Sequence, residues 1–209
     1  MAAMTDTGAK RASVAGLLLA AGGGRRLGGR PKALLTQRGG ELLVERAVRV
    51  MREGGCAPVH VVLGAGASEV RARLGERPRG AVLVDHPGWA EGMGSSLTAG
   101  LASLAAVADA TAALVMLVDQ PRVGPEAVAR VLAAHRAGAG LVAAAYDGER
   151  GHPVLLGREQ WDGVARSATG DRGARAYLRQ HGAAVRLVEC ADVAAPDDVD
   201  TPDDLALLE

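Results

Sequence analysis

The stretch LLLAAGGGRRLGGRPKALL, from Leu17 to Leu35, runs an apolar strand straight into glycines, arginines and a lysine. Glycines at the end of a strand let the backbone come close to an anion and point several N–H groups at it, while fixed cations neutralise the charge. Here Gly22, Gly23 and Gly24 supply the freedom, and Arg25, Arg26 and Lys32 the charge. A solvated surface loop is the plain alternative. Against it stand the entropic cost of ordering consecutive glycines and the strand-before, helix-after setting, which favour a phosphate site. Two familiar phosphate loops are excluded by spacing. Walker A requires Gly before Lys and Ser or Thr after it, but Pro31 and Ala33 flank Lys32. The dinucleotide fingerprint requires a third glycine where Leu27 stands.

Outward from this loop, short apolar runs alternate with segments of helical period, the pattern of βαβ units and a mostly parallel sheet. Strands are predicted over residues 14–19, 59–63, 81–84, 112–118, 141–146, 153–156 and 184–188. Helices are predicted over 42–52, 68–74, 95–104 with a serine cap, 125–137, 158–166, 171–181 and 202–208. Asp147-Gly148 is read as a turn. The expected architecture is a three-layer α/β/α sandwich with a mostly parallel, Rossmann-like sheet, whose ligands bind beyond the carboxyl ends of the strands. Residues 1–12 are expected to be a disordered N-terminal segment and 13–209 a single domain.

Composition narrows the partners. Lys plus Arg and Asp plus Glu both number 24, so net charge gives no reason to expect nucleic acid or an anionic membrane. Phe is absent, so the core rests on Leu, Val and Ala, and a base would be held by backbone and small polar groups more than by stacking. Two cysteines without metal spacing point to a reduced, cytoplasmic setting. The N-terminal segment lacks a signal-peptide pattern, and no apolar run approaches membrane-spanning length.

Asp119 follows the uninterrupted apolar run Leu114 to Val118, so its carboxylate emerges where a buried strand ends. It is placed to hold Mg²⁺ against a triphosphate, or else makes a turn with Pro121. In DDVDTPDDL, Pro202 opens a helix, and Asp203 and Asp204 suit its first turn as structural caps. Asp200 lies ahead of that helix and capping does not explain it. Pro87 to Leu97 brings glycines with Ser95 and Ser96 to a helix N-terminus, a place for either nucleotide contacts or ordinary capping. Gly151-His152-Pro153 and Gly170-Asp171-Arg172-Gly173-Ala174-Arg175 complete the set. Taken alone, His152 reads as a structural histidine and Gly170-Asp171 as a turn.

In this order the motifs resemble the MobA-like NTP transferase family, molybdenum cofactor cytidylyltransferase branch. Leu19, Ala20, Ala21, Gly22, Gly24, Arg26, Leu27, Gly28 and Lys32 match its phosphate-loop signature, with one departure. Three residues separate Gly28 from Lys32 where the family usually has two, so Gly29 is an alternative match. The resemblance implies a nucleotide-diphospho-sugar transferase type of fold and the transfer of CMP from CTP to the phosphate of molybdopterin, with release of pyrophosphate. It assigns the triphosphate to the loop, Arg26 and Lys32, Mg²⁺ to Asp119 and Asp200, and the acceptor to His152, Asp171 and Arg175. A transient contact with a molybdoenzyme or its chaperone is implied as well. Ala21, standing where the guanylyl-transferring branch has glycine, favours CTP over GTP. The alternatives are a guanylyltransferase on the same acceptor, a sugar- or polyol-phosphate nucleotidyltransferase, and a non-catalytic module that binds and delivers the cofactor.

Overall fold

The computed structural model describes residues 13–75 and 80–209; the expectation for residues 1–12 lies outside the described residues. In chain order the regular elements are β1 (Ser13–Ala20), α1 (Leu43–Glu53), β2 (Val59–Leu63), α2 (Ala67–Leu74), β3 (Ala81–Asp85), α3 (Met93–Ala105) and β4 (Ala110–Leu117). Then follow α4 (Pro125–Arg136), β5 (Leu141–Tyr146), β6 (Glu149–Gly157), α5 (Trp161–Ser167), α6 (Arg175–Gln180) and β7 (Val185–Glu189). The strands form one sheet in the order β3-β2-β1-β4-β6-β5-β7. All neighbours are parallel except β6, which runs against both β4 and β5.

The central strands β1 and β4 are buried on both faces, as parallel strands covered by helices must be, which is why they read as continuous apolar runs. Two apolar clusters sit on opposite faces of the sheet. One joins Leu18, Leu114 and Met116 to Met51 of α1 and Val128 of α4. The other joins Leu17, Val115 and Leu117 to Leu101 of α3, Val164 of α5 and Leu178 of α6. These are the three layers the alternating pattern predicts.

The turn at Asp147-Gly148 joins β5 and β6 as a hairpin. Both residues have positive φ, 52° and 83°, as a tight two-residue hairpin demands. Its consequence is functional. Because β6 runs against β4, with Val154 opposite Val115, the start of β6 lies at the carboxyl edge, where the glycine loop also sits.

Several helix boundaries differ from the sequence reading. The stretch 171–181 is helical only from Arg175, because Gly170 and Gly173 take φ of 52° and 50° and break the run into a 3-10 turn and a short helix. Gly92, with φ 108°, rather than a serine, is the N-cap of α3, and Ser95 and Ser96 fall inside its first turn. The terminal segment Pro202–Leu208 is a 3-10 helix, not an α-helix. Among the described residues, no helix is long and apolar enough to cross a membrane.

Leu114 is fully buried in β4, the strand on which both faces pack. Leu114→Ala is expected to destabilise the fold by about 3 kcal/mol, through lost transfer energy and an unfilled cavity. Urea unfolding should show a lower midpoint with an unchanged m-value.

Candidate active site

After β1 the chain makes a compact loop around the carbonyl of Gly24, which accepts hydrogen bonds from the amides of Leu27 (2.8 Å) and Gly29 (3.0 Å). A side chain cannot replace this glycine. Its φ is +56°, and a Cβ would lie 2.0 Å from the Arg30 carbonyl oxygen. Among the described residues, the amides of Gly22, Gly23 and Gly24 have no hydrogen-bond partner, so they are available to an anion. Gly28 and Gly29 both take positive φ, at the place where the loop carries its extra residue. Lys32 still opens the next turn at the carboxyl edge.

There Lys32 meets two carboxylates. Its Nζ lies 2.6 Å from Asp119 Oδ2 and also donates to Asp200 Oδ1. Asp119 stands two residues beyond β4, and its carbonyl accepts the Val199 amide (2.9 Å), which ties the C-terminal segment to the sheet. Arg26, largely exposed, approaches Asp200 Oδ2 at 3.6 Å. The Asp204 carboxylate accepts from the amides of Asp200 (3.0 Å) and Thr201 (2.7 Å), so it is the structural cap expected of it and holds the Asp200 backbone in place. Burial works to lower the Lys32 pKa, but the charges and hydrogen bonds of Asp119 and Asp200 outweigh it, and the net shift is upward from 10.5.

The donor chemistry suits a hard divalent cation. Two carboxylates converge on a point that a single ammonium now occupies. Among the described residues no group of three or more His, Cys, Asp or Glu side chains forms a metal cluster. That is compatible with Mg²⁺, which takes one or two carboxylates and completes its shell with phosphate oxygens and water.

Beside this triad lies a cavity of about 240 Å³ between the carboxyl ends of β1 and β4, the start of β6 and the turn ahead of α6. His152 and Arg175 line it. Asp171 does not line it; its Oδ1 lies 2.7 Å from where a Gly92 Cβ would be, against the start of α3. Ser95 accompanies neither the cavity nor the triad. Its hydroxyl is engaged with the Gly92 carbonyl (2.8 Å) and His86 Nε2 (2.9 Å), and Ser96 is buried. Burial, reinforced by Arg175 and Arg150, pulls the His152 pKa down to about 4, so its imidazole is neutral at pH 7.

Four residues that line the cavity were given no role by the sequence reading: Gln120, Asp198, Arg150 and Arg172. Gln120 Nε2 donates to Asp198 Oδ1 (2.9 Å), while Gln120 Oε1 is buried without a partner. The position of Gln120, directly after Asp119, was the available signal. Trp89 was missed too; its ring packs 3.3 Å from a Cβ built at Gly23, so an aromatic does stand beside the phosphate loop. The Ala21 methyl packs beside Gly64, which Trp89 also covers.

Comparison with known proteins fits this geometry. Residues 16–185 match the MobA-like NTP transferase domain. Nicotine blue oxidoreductase from Paenarthrobacter nicotinovorans is 43% identical over 202 residues, covering 93% of this chain and 96% of that protein. Rv0371c from Mycobacterium tuberculosis H37Rv is 30% identical with a TM-score of 0.79, over 95% of this chain and 98% of that one. Its structure is also known in complex with manganese. The 2-C-methyl-D-erythritol 4-phosphate cytidylyltransferase of Thermus thermophilus is 26% identical with a TM-score of 0.63, over 94% and 97% of the two chains.

Because the Lys32 pKa is raised on folding, its stabilisation is fully present below 10.5 and fades as pH climbs through the higher folded value. Lys32→Met is therefore expected to cost about 1–2 kcal/mol at pH 7, reduced from a fully buried pair by the partial exposure of Asp200. Thermal melts of both proteins should converge above pH 10.5. A gap that stays constant across that range would mean that the lysine charge is not what holds the carboxylates.

Proposed function

This chain belongs to the MobA-like NTP transferase family, and on that footing we propose that it is a Mg²⁺-dependent nucleotidyltransferase that moves CMP from CTP to the phosphate of molybdopterin and releases pyrophosphate. The observation that carries this reading is the meeting of Lys32, Asp119 and Asp200 beside unpartnered loop amides at one sheet edge. Glycine-loop N–H groups and Arg26 receive the triphosphate, and Lys32, drawn from the carboxylates, joins them. Asp119 and Asp200 would hold the metal, whose bound charge would supply electrostatic neutralisation for a departing pyrophosphate.

No general base is required. A phosphomonoester has its second pKa near ~6 and is already largely dianionic at neutral pH. The chain's task is to position this nucleophile in line with the α-phosphorus and to exclude competing water. His152, neutral at pH 7, serves as a hydrogen-bonding wall for the acceptor. Preference for CTP rests on the Ala21 methyl beside Gly64 and Trp89, which narrows the space that a purine needs. A cytidylyltransferase of related fold and the manganese complex of Rv0371c are consistent with the donor and the metal.

The 43% identical relative, nicotine blue oxidoreductase, favours a second reading, an oxidoreductase acting on nicotine blue. The missing dinucleotide fingerprint, with Leu27 in place of the third glycine, weighs against a nicotinamide cofactor held in the usual way.

An equimolar mixture of CTP, GTP, ATP and UTP with Mg²⁺ and molybdopterin is expected to give the cytosine dinucleotide and pyrophosphate, read by mass. A guanine product would overturn the base assignment alone. Bleaching of nicotine blue by a reduced nicotinamide, without any dinucleotide product, would favour the second reading. Asp119→Ala should lower turnover by at least about a thousandfold while the melting curve stays cooperative. Magnesium-dependent turnover near the parent rate would remove Asp119 from the mechanism.

A further inference from the structure

Between β7 and the terminal 3-10 helix, residues 190–201 form neither helix nor strand, and they carry the chain from the β7 edge of the sheet back to the end of β4. A segment without a ladder of its own takes its register from ties to the scaffold. Four ties follow one another along it. Arg130 holds Asp192 (2.6 and 2.8 Å), Arg122 holds Asp197 (3.2 Å), Gln120 Nε2 donates to Asp198 Oδ1 (2.9 Å), and the Val199 amide donates to the Asp119 carbonyl (2.9 Å). The first two are exposed ion pairs, which contribute little and are screened by salt. Val199, fully buried, fixes one point of the segment. A single anchored residue still leaves the chain free to swivel about it. On the far side that swivel is stopped by the Asp204 cap on the Asp200 and Thr201 amides.

On the near side stands Gln120. It follows Asp119 directly and is only 6% exposed, so its side chain belongs to the rigid end of β4 while Asp198 belongs to the segment. The bond from Nε2 to Asp198 fixes the orientation of the amide and leaves Oε1 buried without a partner. A buried acceptor that lacks a donor costs stability, and a methionine of similar length would fill the same space without that cost. Packing therefore does not account for the amide; its grip on Asp198 does. Asp119, Asp200 and Lys32 all act on the charge of Asp198, so this carboxylate stands near the triad. Lys32 nevertheless gives its hydrogen bonds to Asp119 and Asp200, and Asp198 is engaged by Gln120 instead.

We propose that Gln120 is a positioning residue for the metal site: by gripping Asp198 it fixes the stretch that leads into Asp200, and so keeps Asp119 and Asp200 facing one cation. The identity of that cation as the metal of catalysis rests on the nucleotidyl-transfer reading. Gln120 itself touches neither Lys32 nor Asp200 by hydrogen bond; it acts through Asp198.

The test is Mn²⁺ binding to the full chain by electron paramagnetic resonance, with and without CTP, beside a thermal melt of the metal-free protein. Gln120→Met removes the grip and the unpaired oxygen together. Its melting temperature is expected to equal or exceed the parent's, while Mn²⁺ affinity falls by about tenfold in both series. In an Asp198→Ala background the same change should cost no further affinity, because the partner is already gone. Parental Mn²⁺ affinity in Gln120→Met, an equal loss in the Asp198→Ala background, a melting temperature that falls together with affinity, or a parent that binds no Mn²⁺ would each overturn the proposal. Mn²⁺ binding that ignores CTP, with the Gln120→Met loss intact, would support the positioning role and sink the nucleotidyl-transfer reading. A rise with CTP in the parent and no loss in Gln120→Met would leave that reading standing and sink the positioning role.

Discussion

The ion triad of Lys32 with Asp119 and Asp200 joins three separate pieces of chain: the loop after β1, the end of β4 and the segment ahead of the terminal 3-10 helix. Each piece has its own restraint. The loop is wound around the Gly24 carbonyl, Asp119 is held at the end of a strand buried on both faces, and Asp200 is fixed by the Asp204 cap. Two carboxylates this close would repel one another without a cation between them. The lysine satisfies that need in the folded chain, and a metal ion can satisfy it during turnover. In the proposed reaction the same geometry would serve charge neutralisation as well as stability at rest.

Strand order decides what stands next to the triad. With β6 inserted antiparallel between β4 and β5, the residues that open β6 arrive at the carboxyl edge instead of the opposite one. This brings Arg150 and His152 to the cavity that Gln120 and Asp198 also line. The turn at Gly170 to Gly173 adds Arg172 and Arg175 from the far side, seated against the start of α3 because Gly92 and Gly94 leave no side chain in the way. A cavity with apolar walls, lined also by Asp198 and by Arg150, Arg172 and Arg175, follows from these placements.

Much of this was legible in the sequence. Residues 14–19 and 112–118 read as strands because burial on both faces leaves an uninterrupted apolar signal. Lys32, Asp119 and Asp200 stand out because each sits at a point where the chain changes character: after glycines, after an apolar run, before a helix-opening proline. Helix ends were less legible. The left-handed glycines at 170 and 173 shorten the helix predicted from 171, and Gly92 takes the cap expected of a serine. Gln120, Asp198, Arg150 and Arg172 could not be read as a group, since they come from four separate parts of the chain that only the folded sheet edge brings to one cavity. The Ser95 hydroxyl turns back to the Gly92 carbonyl and His86, partners that the sequence does not reveal.

The role given to the triad implies that metal and triphosphate bind together, because phosphates draw Lys32 away from the carboxylates. Electron paramagnetic resonance of Mn²⁺ titrated with and without CTP measures this directly. Manganese affinity should rise by about tenfold or more when CTP is present, and the rise should vanish in Asp119→Asn. Manganese binding that is indifferent to CTP, or a rise that survives Asp119→Asn, would contradict the shared role of Lys32, Asp119 and Asp200.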